Sequence, residues 1–144
     1  MDNLKILLSV HAFIVCEGKV LLLRRSAQSG FGAGLWEMPG GKPDITAKDL
    51  MDDVIREIGE ETAMAVTIRK LLTVAEHRIE EGGSPYSGFR HVLLVYLCDV
   101  SELKTPRLSE EHYYSRWAGI TDLDKLKFMP IQEEVIRRAL NLEF

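Results

Sequence analysis

The feature that most constrains this chain is a change of period at Pro39-Gly40-Gly41. Upstream, apolar residues come in short runs. Downstream, Ala47 to Glu61 follows a helical repeat, with Thr46 as the expected N-cap. With Glu57 at zero on a wheel of about 100° per residue, Val54, Ile58, Met51 and Ile55 fall between about 60° and 160°. On the same wheel Asp53 falls near about −40°, Glu60 near about −60° and Glu61 near about +40°. One arc is apolar and its neighbour acidic. The apolar arc is how a helix docks on a sheet. The acidic arc crowds like charges at i, i+3 and i+4, near a helix C-terminus where the macrodipole disfavours anions. A solvated acidic face accounts for it, and so does a hard divalent cation. The glycines just upstream favour the cation, since they let backbone carbonyls or amides approach a ligand closely.

The remaining chain reads as strands around this unit. Val10 to Cys16 and Val20 to Arg24 form a hairpin across Glu17-Gly18-Lys19. Ser26 to Gly34 is a glycine-rich loop, mobile by composition, before the short apolar segment Leu35 to Met38. Val66 to Ala75 and Arg90 to Val100 are expected strands, separated by a loop at Glu80 to Gly88. Tyr114 to Ala118 is a last short strand, and Gln132 to Leu142 a C-terminal helix with Val135, Ile136, Ala139 and Leu140 on its apolar stripe. Mixed strands with two helices suggest a sheet sandwiched between helices. No internal repeat is present, and 144 residues suit one domain, 1–144.

Composition narrows the partners. A net charge of −4 argues against a non-specific nucleic-acid binder, which would carry a basic excess. It leaves an anionic substrate open, because a bound cation inverts the field of an acidic site. Cys16 and Cys98 each stand alone in an apolar run and read as buried free thiols, which suits a reducing cytoplasm. The start, Met1-Asp2-Asn3, has no basic segment followed by a long apolar one, so no signal peptide is expected. The longest apolar run, Val92 to Cys98, is far below the roughly 20 residues needed to span a bilayer, so no membrane partner is expected.

Gly40-Gly41 and Arg56-Glu57-Ile58-Gly59-Glu60-Glu61-Thr62 resemble the box of the Nudix hydrolase family, G-x5-E-x7-R-E-U-x-E-E-x-G-U with U apolar. Leu35 to Gly41 resembles the family's entry strand. Arg24-Arg25 ends a strand as in MutT-type members, and Ser109-Glu110-Glu111-His112 followed by Trp117 is also similar. Two positions depart from the pattern. Its first Glu falls on Lys48, after a loop one residue longer than usual, and its late Gly falls on Ala63.

The resemblance implies a Nudix-like α/β/α sandwich with a mixed sheet between helices. It implies Mg²⁺-dependent hydrolysis of a diphosphate linkage, with Mn²⁺ able to substitute. The expected substrate is a small nucleotide, foremost a nucleoside triphosphate, oxidised ones included, split to monophosphate and pyrophosphate. ADP-ribose and dinucleoside polyphosphates stay open. The alternative is a catalytically weak Nudix-fold nucleotide-binding module. By the same resemblance Gly40 (through its carbonyl), Glu57, Glu60 and Glu61 would hold metal and Arg56 would orient a carboxylate. The general base would be Glu57 or a loop acid, Glu111 ranking above Glu110. Arg24 or Arg25 would reach phosphates, and the Gln132 amide a purine base. His11, His77, His91 and His112 have no mutual spacing that suggests a metal set, and read as structural or surface residues. Monomer and homodimer both remain open.

Overall fold

The structure, a computed structural model, describes residues 3–29, 31–44, 46–80 and 85–142. In chain order the elements are β1 (Ile6–Cys16), β2 (Lys19–Arg25), β3 (Trp36–Glu37), β4 (Gly40–Gly41), α1 (Leu50–Thr62), β5 (Thr67–Arg78), β6 (Arg90–Asp99), β7 (His112–Ala118) and α2 (Gln132–Leu140). The sheet runs β3-β2-β1-β6-β5, with β4 also on β1 and β7 also on β2. It is mixed: β1 and β6 pair in parallel from Ile6↔Arg90 to Val15↔Asp99, and the other named strand pairs are antiparallel.

Alternation along β1 sorts the core into two layers. Val10, Ala12 and Ile14 join Val54 and Ile58 of α1 on one face. Phe13 joins Val135, Ile136 and Ala139 of α2 on the other. The expected sheet between helices is therefore the fold. Among the described residues no helix is long and apolar enough to cross a membrane. Residues 81–84 of the expected Glu80–Gly88 loop, and residue 30 of the Ser26–Gly34 loop, lie outside the described residues.

Three sequence expectations need correction. The central helix begins at Leu50, capped by Asp49, whose side chain accepts from the Asp52 N–H at 2.8 Å. Thr46 does not cap it: it lies upstream of the cap position, and its N–H and hydroxyl donate to Asp44 Oδ1 at 2.8 Å in an earlier turn. Lys48 therefore precedes the helix, exposed to solvent. The apolar arc is wider than the contact it makes: Val54 and Ile58 are buried, but Met51 is 46% and Ile55 52% exposed. Finally, several strands run longer than apolar alternation indicated. β1 starts at Ile6 and β5 continues through polar residues to Arg78, because both extensions pair with β6. Cys98 is buried and Cys16 half-buried, and both are free thiols.

Candidate active site

α1 is the platform. Its last two turns present Glu57, half-buried, Glu60, exposed, and Glu61, 2% exposed. The Gly40–Gly41 bend packs directly on them. The Gly40 N–H donates to Glu61 Oε1 at 2.9 Å. A β-carbon on Gly41 would sit 2.7 Å from Glu57 Oε1, so only glycine leaves room for that carboxylate. Asp53, on the acidic arc of the wheel, clasps the entering loop: buried in α1, its Oδ1 accepts from the Asp44 N–H at 2.7 Å.

Arg56 holds the acids in place. Its Nη1 donates to both Glu60 oxygens at 3.1 Å, and its Nη2 reaches Glu57 Oε1 at 3.1 Å and Asp53 Oδ1 at 3.3 Å. The guanidinium spans three carboxylates, where the resemblance implied that it orients one. Opposite the helix, the segment before β7 closes a cleft of about 320 Å³ lined by Glu57, Glu60, Glu61, Ser109, Glu110 and Glu111. The helix acids and the loop acids, some 50 positions apart in the numbering, thus share one space.

Behind the cleft lies a relay that no linear spacing signals. Arg25 Nη1 is 2.8 Å from Glu37 Oε2, which is 2.8 Å from His112 Nε2. His112 Nδ1 is in turn 3.2 Å from Glu61 Oε2. Burial alone would raise the Glu37 pKa, but the hydrogen bond from His112 and the charge of Arg25 outweigh it and hold the group below the usual carboxylate value. Glu61 is pushed well above that range, first by burial and then by the charge of Glu37, against the Gly40 hydrogen bond. Burial also raises Glu57, against the attraction of Arg56.

A divalent cation fits these residues. Glu61 Oε2 and His112 Nδ1 are buried and have no hydrogen-bond partner. The donors around them are hard oxygens at close quarters, whose mutual repulsion a cation would relieve.

The expected substrate residues sit in different surroundings. Arg24 donates from Nε to the Gly34 carbonyl at 2.9 Å and its guanidinium lies 5.3 Å from the Tyr113 ring centroid. Arg25 is turned onto Glu37 and the carbonyls of Phe31 and Ser29. Gln132 is 2% exposed, and its Oε1 accepts from the Met38 N–H at 3.0 Å.

Of the histidines, His112 is at the site, and the other three form one chain. His77 Nε2 is 3.1 Å from His91 Nδ1, His91 Nε2 2.8 Å from Ser9 Oγ, and Ser9 Oγ 3.0 Å from His11 Nε2. His11 Nδ1 ends the chain 3.4 Å from the Met38 carbonyl. That carbonyl only accepts, so His11 Nδ1 carries a proton and the remaining donors can all run in one direction. Burial lowers the pKa of His11 and brings that of His91 down to about 4.

Comparison with known proteins agrees with the fold. Residues 5–139 match the family described as NUDIX domain. A CTP pyrophosphohydrolase of Escherichia coli (strain K12) is 39% identical over 82 residues, an alignment that spans 56% of this chain and 56% of that protein. Among solved structures, a MutT protein from Methanosarcina mazei Go1 superposes with a TM-score of 0.78 at 25% identity, covering 98% of this chain and 96% of the other. A MutT NUDIX hydrolase from Burkholderia pseudomallei gives a TM-score of 0.67 at 28% identity, covering 94% and 96%.

Proposed function

This chain belongs to the NUDIX domain family, and from that premise we propose that it hydrolyses a diphosphate linkage in a nucleotide with a divalent cation as cofactor. The first-choice substrate is a nucleoside triphosphate, oxidised forms included, split to monophosphate and pyrophosphate. The observation that carries the reading is the shared cleft, in which Glu57, Glu60 and Glu61 of α1 face Glu110 and Glu111. The E. coli relative is named for the same type of cleavage, of CTP.

Each residue has a part in this reading. Glu57, Glu60 and Glu61 would hold the cation, Mg²⁺ or Mn²⁺, with the Gly40 carbonyl as a further ligand. The bound cation would supply charge neutralisation at the diphosphate oxygens. Arg56 spaces the Glu60 and Glu57 carboxylates, so they need not reorganise when the substrate arrives. Glu111, exposed at the lip of the cleft, takes the proton of the attacking water; Glu57 is the second choice. Arg24, with Tyr113 beside it, supplies a cation and an aromatic face for the nucleotide. Arg25 acts indirectly, by fixing Glu37 under His112.

The test is product identification. The purified protein is incubated with nucleoside triphosphates, their oxidised forms, ADP-ribose and dinucleoside polyphosphates, in Mg²⁺ and in Mn²⁺. Monophosphate and pyrophosphate from a triphosphate support the full reading. Cleavage of only the other substrates keeps the hydrolase and removes the triphosphate assignment.

A further inference from the structure

Glu61, Glu111 and His112 each bring one donor atom within 4.8 Å of the other two. Glu61 and His112 are buried, at 2% and 3% exposure, and Glu111 caps them from the solvent side. Glu61 Oε2 and His112 Nδ1 are 3.2 Å apart, yet neither atom makes a hydrogen bond.

The protons explain why this is unusual. Glu37 is ion-paired to Arg25 at 2.8 Å, so its Oε2 only accepts, and His112 Nε2 must donate to it. With Nε2 donating, the neutral tautomer leaves a lone pair at Nδ1, which stands 3.2 Å from Glu61 Oε2 without pointing along that line. Two desolvated lone pairs at this separation are costly unless positive charge lies between them. Adjacent ligands of a six-coordinate ion, each about 2.1 Å from it, stand about 3 Å apart, which matches the contact.

We propose that His112 Nδ1 is itself a metal ligand and forms, with Glu61, a mixed nitrogen–oxygen site that prefers Co²⁺ and Mn²⁺ to Mg²⁺ and keeps Glu111, on its solvent side, as the base. The inference rests on the proposed cation role of Glu61, and adds a ligand that the acidic box does not supply. An imidazole donor favours first-row transition ions in the order Mn²⁺ < Co²⁺, whereas Mg²⁺ favours oxygen. The Arg25–Glu37 pair then acts as the outer support that fixes the tautomer and the ring orientation.

The experiment is pulsed electron paramagnetic resonance on the Mn²⁺-loaded protein, with Co²⁺ and Mg²⁺ calorimetry alongside. A directly bound imidazole gives ¹⁴N coupling to Mn²⁺ in the unmodified protein. His112→Gln keeps a donor toward Glu37 and removes Nδ1. The coupling should vanish in it, and Co²⁺ affinity should fall at least about tenfold while Mg²⁺ affinity moves less than about threefold. Circular dichroism checks that the variant is folded. If it is not, the unmodified protein decides alone: absence of ¹⁴N coupling overturns the proposal. Hydrolysis without the coupling overturns the ligand and leaves the enzyme. Coupling without hydrolysis of any substrate overturns the enzyme and leaves the ligand.

Discussion

The Gly40 N–H donates to Glu61 Oε1 at 2.9 Å, which ties the bend after β3 to the last turn of α1. One Glu61 oxygen is committed to the backbone, and the other faces His112. The loop and the helix therefore act as one unit, and the two glycines of the bend carry different burdens.

Gly41→Ala and Gly40→Ala separate those burdens. At Gly41 the new methyl meets the end of the Glu57 side chain at 2.7 Å, which can swing aside. We expect a stability loss under about 1 kcal/mol and a turnover loss of about 10²-fold, the usual consequence of a misplaced active-site group. At Gly40 the methyl would run into the Val10 carbonyl oxygen, and backbone inside a sheet cannot swing. We expect a loss of about 2 kcal/mol or more. Thermal melts and turnover on both variants check this. Equal melting temperatures would contradict it.

Ala63 closes α1 with φ 57° and ψ 25°, its N–H bonded to the Gly59 carbonyl. A β-carbon in this left-handed cap costs about 1 kcal/mol, partly offset by the smaller entropy of the unfolded chain. Ala63→Gly should therefore stabilise by roughly 0.5–1 kcal/mol and raise Tm by a few degrees. A lower Tm would show that the cap is not strained.

Gln132 is a strut. Its Oε1 satisfies the buried Met38 N–H, so Gln132→Ala leaves that donor unpaired and should cost about 1–3 kcal/mol. Substrates should all suffer alike. A changed ranking of purine against pyrimidine substrates would mean that the remaining amide NH₂ reads a base after all.

How much of this was legible in the sequence depended on separation along the chain. Arg56, Glu57, Glu60 and Glu61 lie on one helix, where spacing alone sets geometry, and the resemblance pointed to Glu111. The His112–Glu37 contact joins residues 75 positions apart, and Ser9 with His91 joins residues 82 apart. Such pairs are created by strand register, which no local pattern encodes. Four histidines without common spacing therefore concealed a three-histidine chain and a residue of the site. The helix start was not legible because two cap-competent residues, Thr46 and Asp49, stand three apart; the structure puts the Asp52 N–H on Asp49 and draws Thr46 into the Asp44 turn.

His91 gives the protein a pH signature. Burial, reinforced wherever its neighbours His77, His11 and Lys42 carry charge, brings its pKa down to about 4 from an ordinary 6.5. Between those values the unfolded chain binds a proton that the folded chain refuses, so stability rises with pH. The contribution is complete above pH 6.5 and is lost as pH falls toward 4. His91→Gln should flatten the Tm profile over this window. A profile parallel to that of the unmodified protein would contradict the assignment.

The central claim is that the acidic face of α1 carries out cation-dependent cleavage. Its most direct test is the initial rate of pyrophosphate or phosphate release, on the best substrate found, for the unmodified protein and for Glu57→Gln. Both are measured with Mg²⁺ or Mn²⁺ and again after chelation. The account predicts release that needs the cation, is abolished by chelator and falls at least about 10²-fold in a folded Glu57→Gln. Release that persists in chelator, or a Glu57→Gln rate equal to that of the unmodified protein, would contradict it.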